Sequence, residues 1–241
     1  MLSAIELIRS SEAVVFDCAG TLLQLDPPQE VIFRDAAAEL GLDLSLESVA
    51  YAYDLVDFGW KMRSSEVKSI AAKVEFYRVL NAGLCTALGI QRSFEKLHPL
   101  LTKRFAERRN WVPLNDVVDA LQAIGKLVPI HALANWDKGL DGVLMRAGLR
   151  DFFGDVAASE SLGAEKPARA CFDAFLVRNG LKPAGVIYVG NEYFADVVGA
   201  REAGLTPVLV DRQDRLPAAD CLRVHSLYEL IPTEGAEGSR C

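Results

Sequence analysis

Short runs of apolar residues alternate with longer amphipathic patterns along most of this chain. In each run the apolar positions are consecutive instead of alternating, which is typical of strands buried on both faces of a parallel sheet. Repeated strand-and-helix units of this kind predict an α/β fold with a doubly wound parallel sheet. The predicted strands are residues 13–16, 128–134, 156–158, 186–189 and 207–210.

The amphipathic patterns between these strands predict helices, and each pattern is followed by a glycine. Glycine just beyond the end of a helix adopts the left-handed conformation at low cost, so each glycine marks a helix end. The predicted helices are residues 116–124, 137–147, 167–179 and 193–203, with end glycines at Gly125, Gly148, Gly180 and Gly204.

Residues 25–111 break this rhythm, because they carry helical patterns and no strand pattern. The simplest arrangement is a helical cap domain inserted after the first strand, over the sheet edge where open α/β folds bind ligands. The clearest helical patterns in the cap are residues 30–40, 66–80 and 94–109.

These boundaries define the predicted domains. An α/β core consists of residues 1–24 and 112–231, and the cap consists of residues 25–111. Residues 232–241 are rich in Gly, Glu and Ser, which predicts a flexible tail.

The composition narrows the possible partners. Of the 241 residues, 51% are hydrophobic and 24% are charged, as in ordinary globular proteins. The formal net charge of −7 argues against nucleic acid or an anionic membrane as the main partner, because both favour basic surfaces. A small anionic substrate remains compatible, since it responds to local charge.

The cysteines and apolar stretches predict a location. The five cysteines are odd in number and show no C-x-x-C pair, so neither a zinc cluster nor a disulfide framework is indicated. Free thiols suit a reducing compartment. No apolar stretch is long enough to span a bilayer, and the first residues lack the pattern of a signal peptide. We therefore expect a cytoplasmic protein; the sequence gives no indication of its oligomeric state.

The first predicted strand leads into Asp17, which is followed by Cys18, Ala19, Gly20 and Thr21. A carboxylate that leaves a buried strand beside a glycine turn is suited to act as a covalent nucleophile. The alternative is an aspartate that caps the turn after the strand. This segment alone leaves both interpretations open.

Polar residues at other strand ends share the same predicted sheet edge as Asp17. Asn135 follows the second strand, Lys166 precedes a proline at a helix start, and Asn191 and Asp196 follow the fourth strand. Each has a structural alternative: turn residues for the asparagines, a solvated surface position for Lys166, and a helix-dipole partner for Asp196. Their order along the chain favours one shared site.

This ordered set resembles the four motifs of the haloacid dehalogenase (HAD) superfamily. The resemblance spans about Val14 to Val210 and includes a helical insertion between the first two motifs. It implies a Rossmann-like core with an inserted cap, and a hydrolase with Asp17 as nucleophile. The matching segments are Asp17-Cys18-Ala19-Gly20-Thr21, Ala134-Asn135, Lys166-Pro167, and Gly190-Asn191 with Asp196 and Gly199-Ala200.

The resemblance also implies roles for the remaining positions. Lys166 would neutralise charge on the transferred group, and Gly20, Thr21 and Asn135 would bind the substrate. Magnesium would be held by Asp17, the backbone carbonyl of Ala19, Asn191 and Asp196.

Three positions depart from the family pattern. Ala19 replaces the general acid/base Asp, Ala134 replaces a hydroxyl residue, and Asn191 replaces a magnesium-binding Asp. A positioned acid contributes about 10²–10⁴-fold to a rate, and one donor to a developing anion about 10²–10³-fold. Efficient hydrolysis of a simple alkyl phosphate is therefore not expected. Magnesium prefers charged oxygen ligands, so we expect it to bind weakly or not at all.

Two classes of function remain open. The first is a divergent hydrolase that uses Asp17 on a small phosphorylated, acyl-phosphate or halogenated substrate; the metal-independent dehalogenase branch of the family also lacks the second Asp. The second is a non-catalytic binding or scaffold protein, because fold does not fix function. The intact trio of Asp17, Lys166 and Asp196 favours the hydrolase, whereas Ala19 and Ala134 favour the scaffold.

Overall fold

The computed structural model describes residues 4–60, 70–107 and 110–231. The predicted tail over 232–241 and parts of the helical patterns 66–80 and 94–109 lie outside the described residues. The chain divides into two compact units: Met1–Gln24 with Pro113–Cys241, and Leu25–Val112.

The first unit is built on a six-stranded sheet in which each pair of neighbouring strands is parallel. The strands of the chain are β1 (Ala13–Phe16), β2 (Leu23–Leu25), β3 (Trp111–Pro113), β4 (Ile130–Ala134), β5 (Val156–Ala158), β6 (Val186–Gly190), β7 (Thr206–Val210) and β8 (Leu222–Val224). The order in this sheet is β5-β4-β1-β6-β7-β8, so β1 lies between β4 and β6. This topology confirms the predicted doubly wound parallel sheet.

Helices connect the strands. In chain order they are α1 (Ala4–Ser10), α2 (Gln29–Glu39), α3 (Leu46–Trp60), α4 (Ile70–Ala87), α5 (Phe94–Glu107), α6 (Val117–Gly125), α7 (Leu140–Arg146), α8 (Ser159–Leu162), α9 (Arg169–Asn179) and α10 (Gly199–Glu202). A π-helix covers Tyr193–Val198 directly before α10.

The helix-end predictions are confirmed at three of the four glycines. Gly148, Gly180 and Gly204 have φ values of 71°, 64° and 87°, in the left-handed region. The prediction at Gly125 is wrong, because this glycine is the last residue of α6 and Lys126 follows it with right-handed backbone. The predicted start at Pro167 is also wrong, since α9 begins at Arg169.

The sheet interior explains why the strand predictions succeeded. All four residues of β1 and all five of β6 are buried, as continuous apolar runs require when helices cover both faces. The sequence missed β8, a short strand at the sheet edge that carries Arg223 at its centre.

In the described part of the second unit, helices α2 to α5 surround their own apolar core. Phe33, Val49, Leu84, Leu97 and Leu101 are fully buried there. The expectation of no strand in residues 25–111 is wrong at its two ends, where β2 and β3 pair as a two-stranded sheet. Each is three residues long, too short to show a period. Among the helices that the structure describes, none has the length and hydropathy needed to cross a membrane.

Candidate active site

Asp17 is the first residue beyond the central strand β1. Its N–H donates to the carbonyl of Val189 on β6 at 2.8 Å, which extends the strand pairing to the sheet edge. The chain then closes a tight turn, because the N–H groups of Leu22 and Leu23 both donate to the carbonyl of Cys18 at 2.8 Å. This turn fixes the position of the Asp17 carboxylate.

The ammonium of Lys166 lies between two carboxylates. Its Nζ is 2.7 Å from Oδ1 of Asp17, 2.7 Å from Oδ1 of Asp196 and 2.7 Å from the hydroxyl oxygen of Tyr188. The Lys166 side chain is 3% exposed. An ammonium has three N–H donors, so these three acceptors use all of them.

Tyr188 was missed by the sequence analysis. It lies on β6, is fully buried, and donates its hydroxyl hydrogen to the carbonyl of Leu133 on β4 at 2.7 Å. Its ring packs edge-on against Phe172. The available indication was one tyrosine in an otherwise aliphatic buried strand, because a buried tyrosine hydroxyl usually has a hydrogen-bond partner.

The pKa values of Asp17 and Lys166 are both raised above their ordinary values. Burial raises the pKa of Asp17, Lys166 lowers it and the Asp196 charge raises it, and the net result is a pKa of about 6. Burial alone would lower the pKa of Lys166, but Asp17 and Asp196 together hold it well above its usual value. Near neutral pH the site therefore combines a carboxylate at Asp17 with an ammonium at Lys166.

Asn135 holds the backbone of Lys166. Its amide nitrogen donates to the Lys166 carbonyl at 2.9 Å, and its amide oxygen accepts from the Lys166 N–H at 2.8 Å. Both ends of the amide thus fix the residue that carries the ammonium. A substrate contact from Asn135 stays a prediction.

Gly20 and Thr21 contact Asn191. The Thr21 hydroxyl donates to the Asn191 amide oxygen at 3.0 Å, and Thr21 is fully buried. Gly20 has φ of 82°, and a Cβ there would lie 2.5 Å from the Asn191 amide nitrogen. Only glycine fits both conditions. Substrate binding by Gly20 and Thr21 also stays a prediction.

A small pocket of about 70 Å³ opens beside Asp17. Its lining includes the methyl-bearing residues Ala19 and Ala134 at the positions where the family motifs carry an acid and a hydroxyl. Lys166 is the one cationic residue among the described residues of that lining, and the whole lining is Asp17, Ala19, Ala134, Asn135, Trp136, Lys166, Glu192 and Ala195.

The predicted magnesium donors are all oxygen atoms and include two carboxylates. Asp17 and Asp196 both contact Lys166, Asp196 also accepts from the N–H of Glu192 at 2.9 Å, and Asn191 turns its amide oxygen toward Thr21. Protein-bound magnesium commonly has one or two carboxylate ligands and keeps several waters. The donor set fits such an ion, although no cluster of three or more His, Cys, Asp or Glu occurs among the described residues.

A second polar network, also missed from the sequence, supports the nucleophile turn. The Arg212 guanidinium donates to both oxygens of Asp116 at 2.7 and 2.9 Å, and to the Thr21 carbonyl at 3.0 Å. Asp116 is 3% exposed and also accepts from the Ser226 hydroxyl at 2.6 Å and the Leu227 N–H at 2.8 Å. Three chain segments therefore meet at the Asp116 carboxylate, and Arg212 links them to a fourth at Thr21.

We expect Asp116→Asn to destabilise the fold by about 3 kcal/mol near neutral pH, because it leaves the Arg212 charge without its partner. Burial raises the Asp116 pKa, but its hydrogen bonds from Arg212, Ser226 and Leu227 outweigh burial and lower it. The stabilisation is thus present above the ordinary aspartate pKa and is lost on acidification. Urea unfolding measures it, with Ser226→Ala as the milder control. Equal stability of Asp116→Asn and wild type at neutral pH would contradict the expectation.

The comparison with protein families agrees with this geometry. The model of the family described as haloacid dehalogenase-like hydrolase matches residues 12–204, which include Asp17, Lys166 and Asp196. The chain therefore belongs to the haloacid dehalogenase-like hydrolases.

Individual proteins of known name are similar to this chain. The chain is 30% identical over 121 residues to haloacid dehalogenase-like hydrolase domain-containing protein 3 of Danio rerio, which covers 50% of each protein. It is 29% identical over 215 residues to the ribulose-1,5-bisphosphate 5-phosphatase of Halopiger xanaduensis, covering 86% of this chain and 88% of that protein. The alignments span half or less of the length of the first curated relatives that it matches.

A solved structure shows the same fold. YfnB from Bacillus subtilis, bound to magnesium, superposes with a TM-score of 0.71 at 18% identity, covering 91% of this chain and 96% of that one. At this identity the match supports the architecture alone.

Proposed function

We propose that this chain is a hydrolase that uses Asp17 as a covalent nucleophile on a small anionic substrate whose leaving group needs little protonation. The observation that carries the proposal is the buried trio of Asp17, Lys166 and Asp196, joined by contacts of 2.7 Å beside a pocket. With its pKa of about 6, Asp17 is mainly a carboxylate near neutral pH. It is therefore able to attack.

The residues define the steps. A carboxylate oxygen of Asp17 attacks the phosphorus or halogen-bearing carbon, and the leaving group departs with the bonding electron pair. Lys166 offsets the negative charge at the reacting centre. Ala19 has no proton to give, so acyl phosphates, aryl phosphates and halides suit the site better than alkyl phosphates. Water then hydrolyses the acyl phosphate or ester on Asp17, which releases phosphate or the hydroxylated product with a proton and restores the carboxylate.

Magnesium, when bound, would add positive charge beside the transferred group. Asp17, the Ala19 carbonyl, Asn191 and Asp196 are the residues that would hold it. Asn191 offers a neutral amide oxygen, and Asp17 and Asp196 already contact the Lys166 ammonium, so we propose weak binding.

The test is turnover of the purified chain on acyl phosphates, aryl phosphates, phosphonoacetaldehyde and 2-haloacids, each with magnesium and with EDTA. Turnover that disappears in Asp17→Asn supports the proposal, and the response to EDTA measures the metal dependence. Turnover that survives in Asp17→Asn would place the chemistry elsewhere.

A non-catalytic binding protein is the second candidate. Two observations favour it: Ala19 and Ala134 line the pocket, and all three donors of Lys166 already have protein acceptors. If no substrate of the panel is turned over and inorganic phosphate still raises the melting temperature, the result would favour this candidate over the hydrolase.

We expect the double substitution Ala19→Asp with Asn191→Asp to raise magnesium-dependent hydrolysis of an alkyl phosphate by about 10²-fold, because it restores an acid and a charged metal ligand. The measurement is kcat/KM over a magnesium titration. Ala19→Asn with Asn191→Asp is the matched control, since it has the same shape without an acidic proton. Equal activity in the two variants would show that the added acid does not reach the leaving group.

A further inference from the structure

The Tyr188 hydroxyl is the neutral one of the three groups that hold the Lys166 ammonium. Both carboxylates attract Lys166 by charge and would do so over a range of ammonium orientations. A hydroxyl acceptor is directional, because its own hydrogen must point to another partner. Here that partner is the Leu133 carbonyl at 2.7 Å, which leaves the lone pairs of the Tyr188 oxygen facing Lys166.

Tyr188 is itself held rigidly across the sheet. In the strand register Val15 of β1 is paired with Tyr188 on one side and with His131 on the other. The side chain of Tyr188 therefore reaches from β6 to the end of β4, where Leu133 precedes Ala134. Phe172 packs edge-on against the ring, with 5.3 Å between the centroids. The bond to the Leu133 carbonyl, and not the ring contact, fixes the hydroxyl relative to the three neighbouring strands.

We propose that Tyr188 is a positioning residue that fixes the ammonium of Lys166 between Asp17 and Asp196. The expected effect of Tyr188 on the rate rests on the proposed hydrolase function. The expected effect of Tyr188 on the Lys166 ammonium is independent of any substrate. The Lys166 N–H donors are held on protein acceptors, so Lys166 acts on the reacting centre through the position of its charge. A displaced charge then changes the rate more than it changes substrate binding.

Tyr188→Phe removes the hydroxyl and keeps the ring in its contact with Phe172. The Lys166 ammonium loses its third acceptor, and only the two carboxylates still restrict its rotation. We expect kcat to fall by about 10- to 100-fold with KM little changed, since small misplacements of a catalytic charge have effects of this size. Phe172→Leu is the matched control, because it changes the packing of the same ring and keeps the Tyr188 hydroxyl with its bonds to Lys166 and Leu133.

A second readout requires no turnover. In protein labelled with ¹⁵N-lysine, a fully hydrogen-bonded, buried ammonium is expected to give a ¹H–¹⁵N signal that persists near neutral pH, and Lys166→Arg identifies it by its loss. We expect this signal to shift and exchange faster in Tyr188→Phe and to stay in place in Phe172→Leu.

The two readouts separate the two proposals. A wild-type chain without turnover, whose Lys166 signal responds to Tyr188→Phe alone, would overturn the hydrolase function and keep the positioning role. An unchanged signal in folded Tyr188→Phe, or equal kcat losses in both variants, would overturn the positioning role. Should Tyr188→Phe fail to fold, absence of a persistent Lys166 signal in the wild type would overturn it as well.

Discussion

Asp17→Asn is expected to lower kcat by at least about 10⁴-fold on any substrate that the wild-type chain turns over, because no other group takes the place of a lost nucleophile. The amide keeps the size of the side chain and an oxygen acceptor for Lys166, so binding should change less than rate. Steady-state kinetics measure the loss. Asp137→Asn is the matched control, since Asp137 is an exposed aspartate near the end of β4 and lies outside the pocket lining.

The pH dependence of Asp17 provides an independent check on the same prediction. Because the pKa is raised from 3.8 to about 6 in the fold, kcat/KM should rise with pH as Asp17 ionises near pH 6. Over the same window the folded chain binds more protons than the unfolded chain. The contribution of Asp17 to the free energy of unfolding therefore falls as pH rises from about 4 to about 6. Asp17→Asn should remove this pH-dependent contribution to the free energy of unfolding. A value of kcat/KM that does not change with pH near pH 6 would contradict the role of Asp17 as nucleophile.

Lys166→Met is expected to cause a large loss of stability, about 3–5 kcal/mol, because it leaves Asp17 and Asp196 buried without the cation between them. Urea unfolding near neutral pH measures it. Lys182→Met is the control: Lys182 is exposed, and such a change usually stays within about 0.5 kcal/mol.

The electrostatic part of the stability loss in Lys166→Met can be separated from the part due to lost packing. In Lys166→Met the remaining cost is repulsion and desolvation of two carboxylates, so adding Asp196→Asn should restore part of the stability. Acidification should restore part of it too, because protonated carboxyls are less costly to bury. A double variant less stable than Lys166→Met would mean that Asp196 contributes mainly through its bond to the Glu192 N–H.

The sequence-based predictions succeeded where a local pattern has one physical cause. The apolar runs at β1 and β6 are continuous because both faces are covered, and Gly148, Gly180 and Gly204 follow helices because the left-handed backbone there suits glycine. The predictions failed at β2, β3 and β8, which are three residues long and are held by partners distant in sequence.

The same distinction applies to the candidate site. The order of Asp17, Asn135, Lys166, Asn191 and Asp196 along the chain placed them at one sheet edge, because parallel strands bring their carboxyl ends together. The sequence also determined what the site lacks, since Ala19 and Ala134 carry no acid and no hydroxyl wherever they lie.

Only the tertiary structure decided how these groups are held. Tyr188 resembles any core tyrosine until β6 and β4 are placed on either side of β1, and Arg212 and Asp116 resemble surface charges until four chain segments meet. Hydrogen-bond partners separated by tens of residues leave no periodic trace in a sequence, because their contact depends on strand order and register. The sequence by itself therefore determined the fold class, the family motifs and the missing groups, whereas the packing alone determined that Lys166 has three acceptors and which residues support the nucleophile turn.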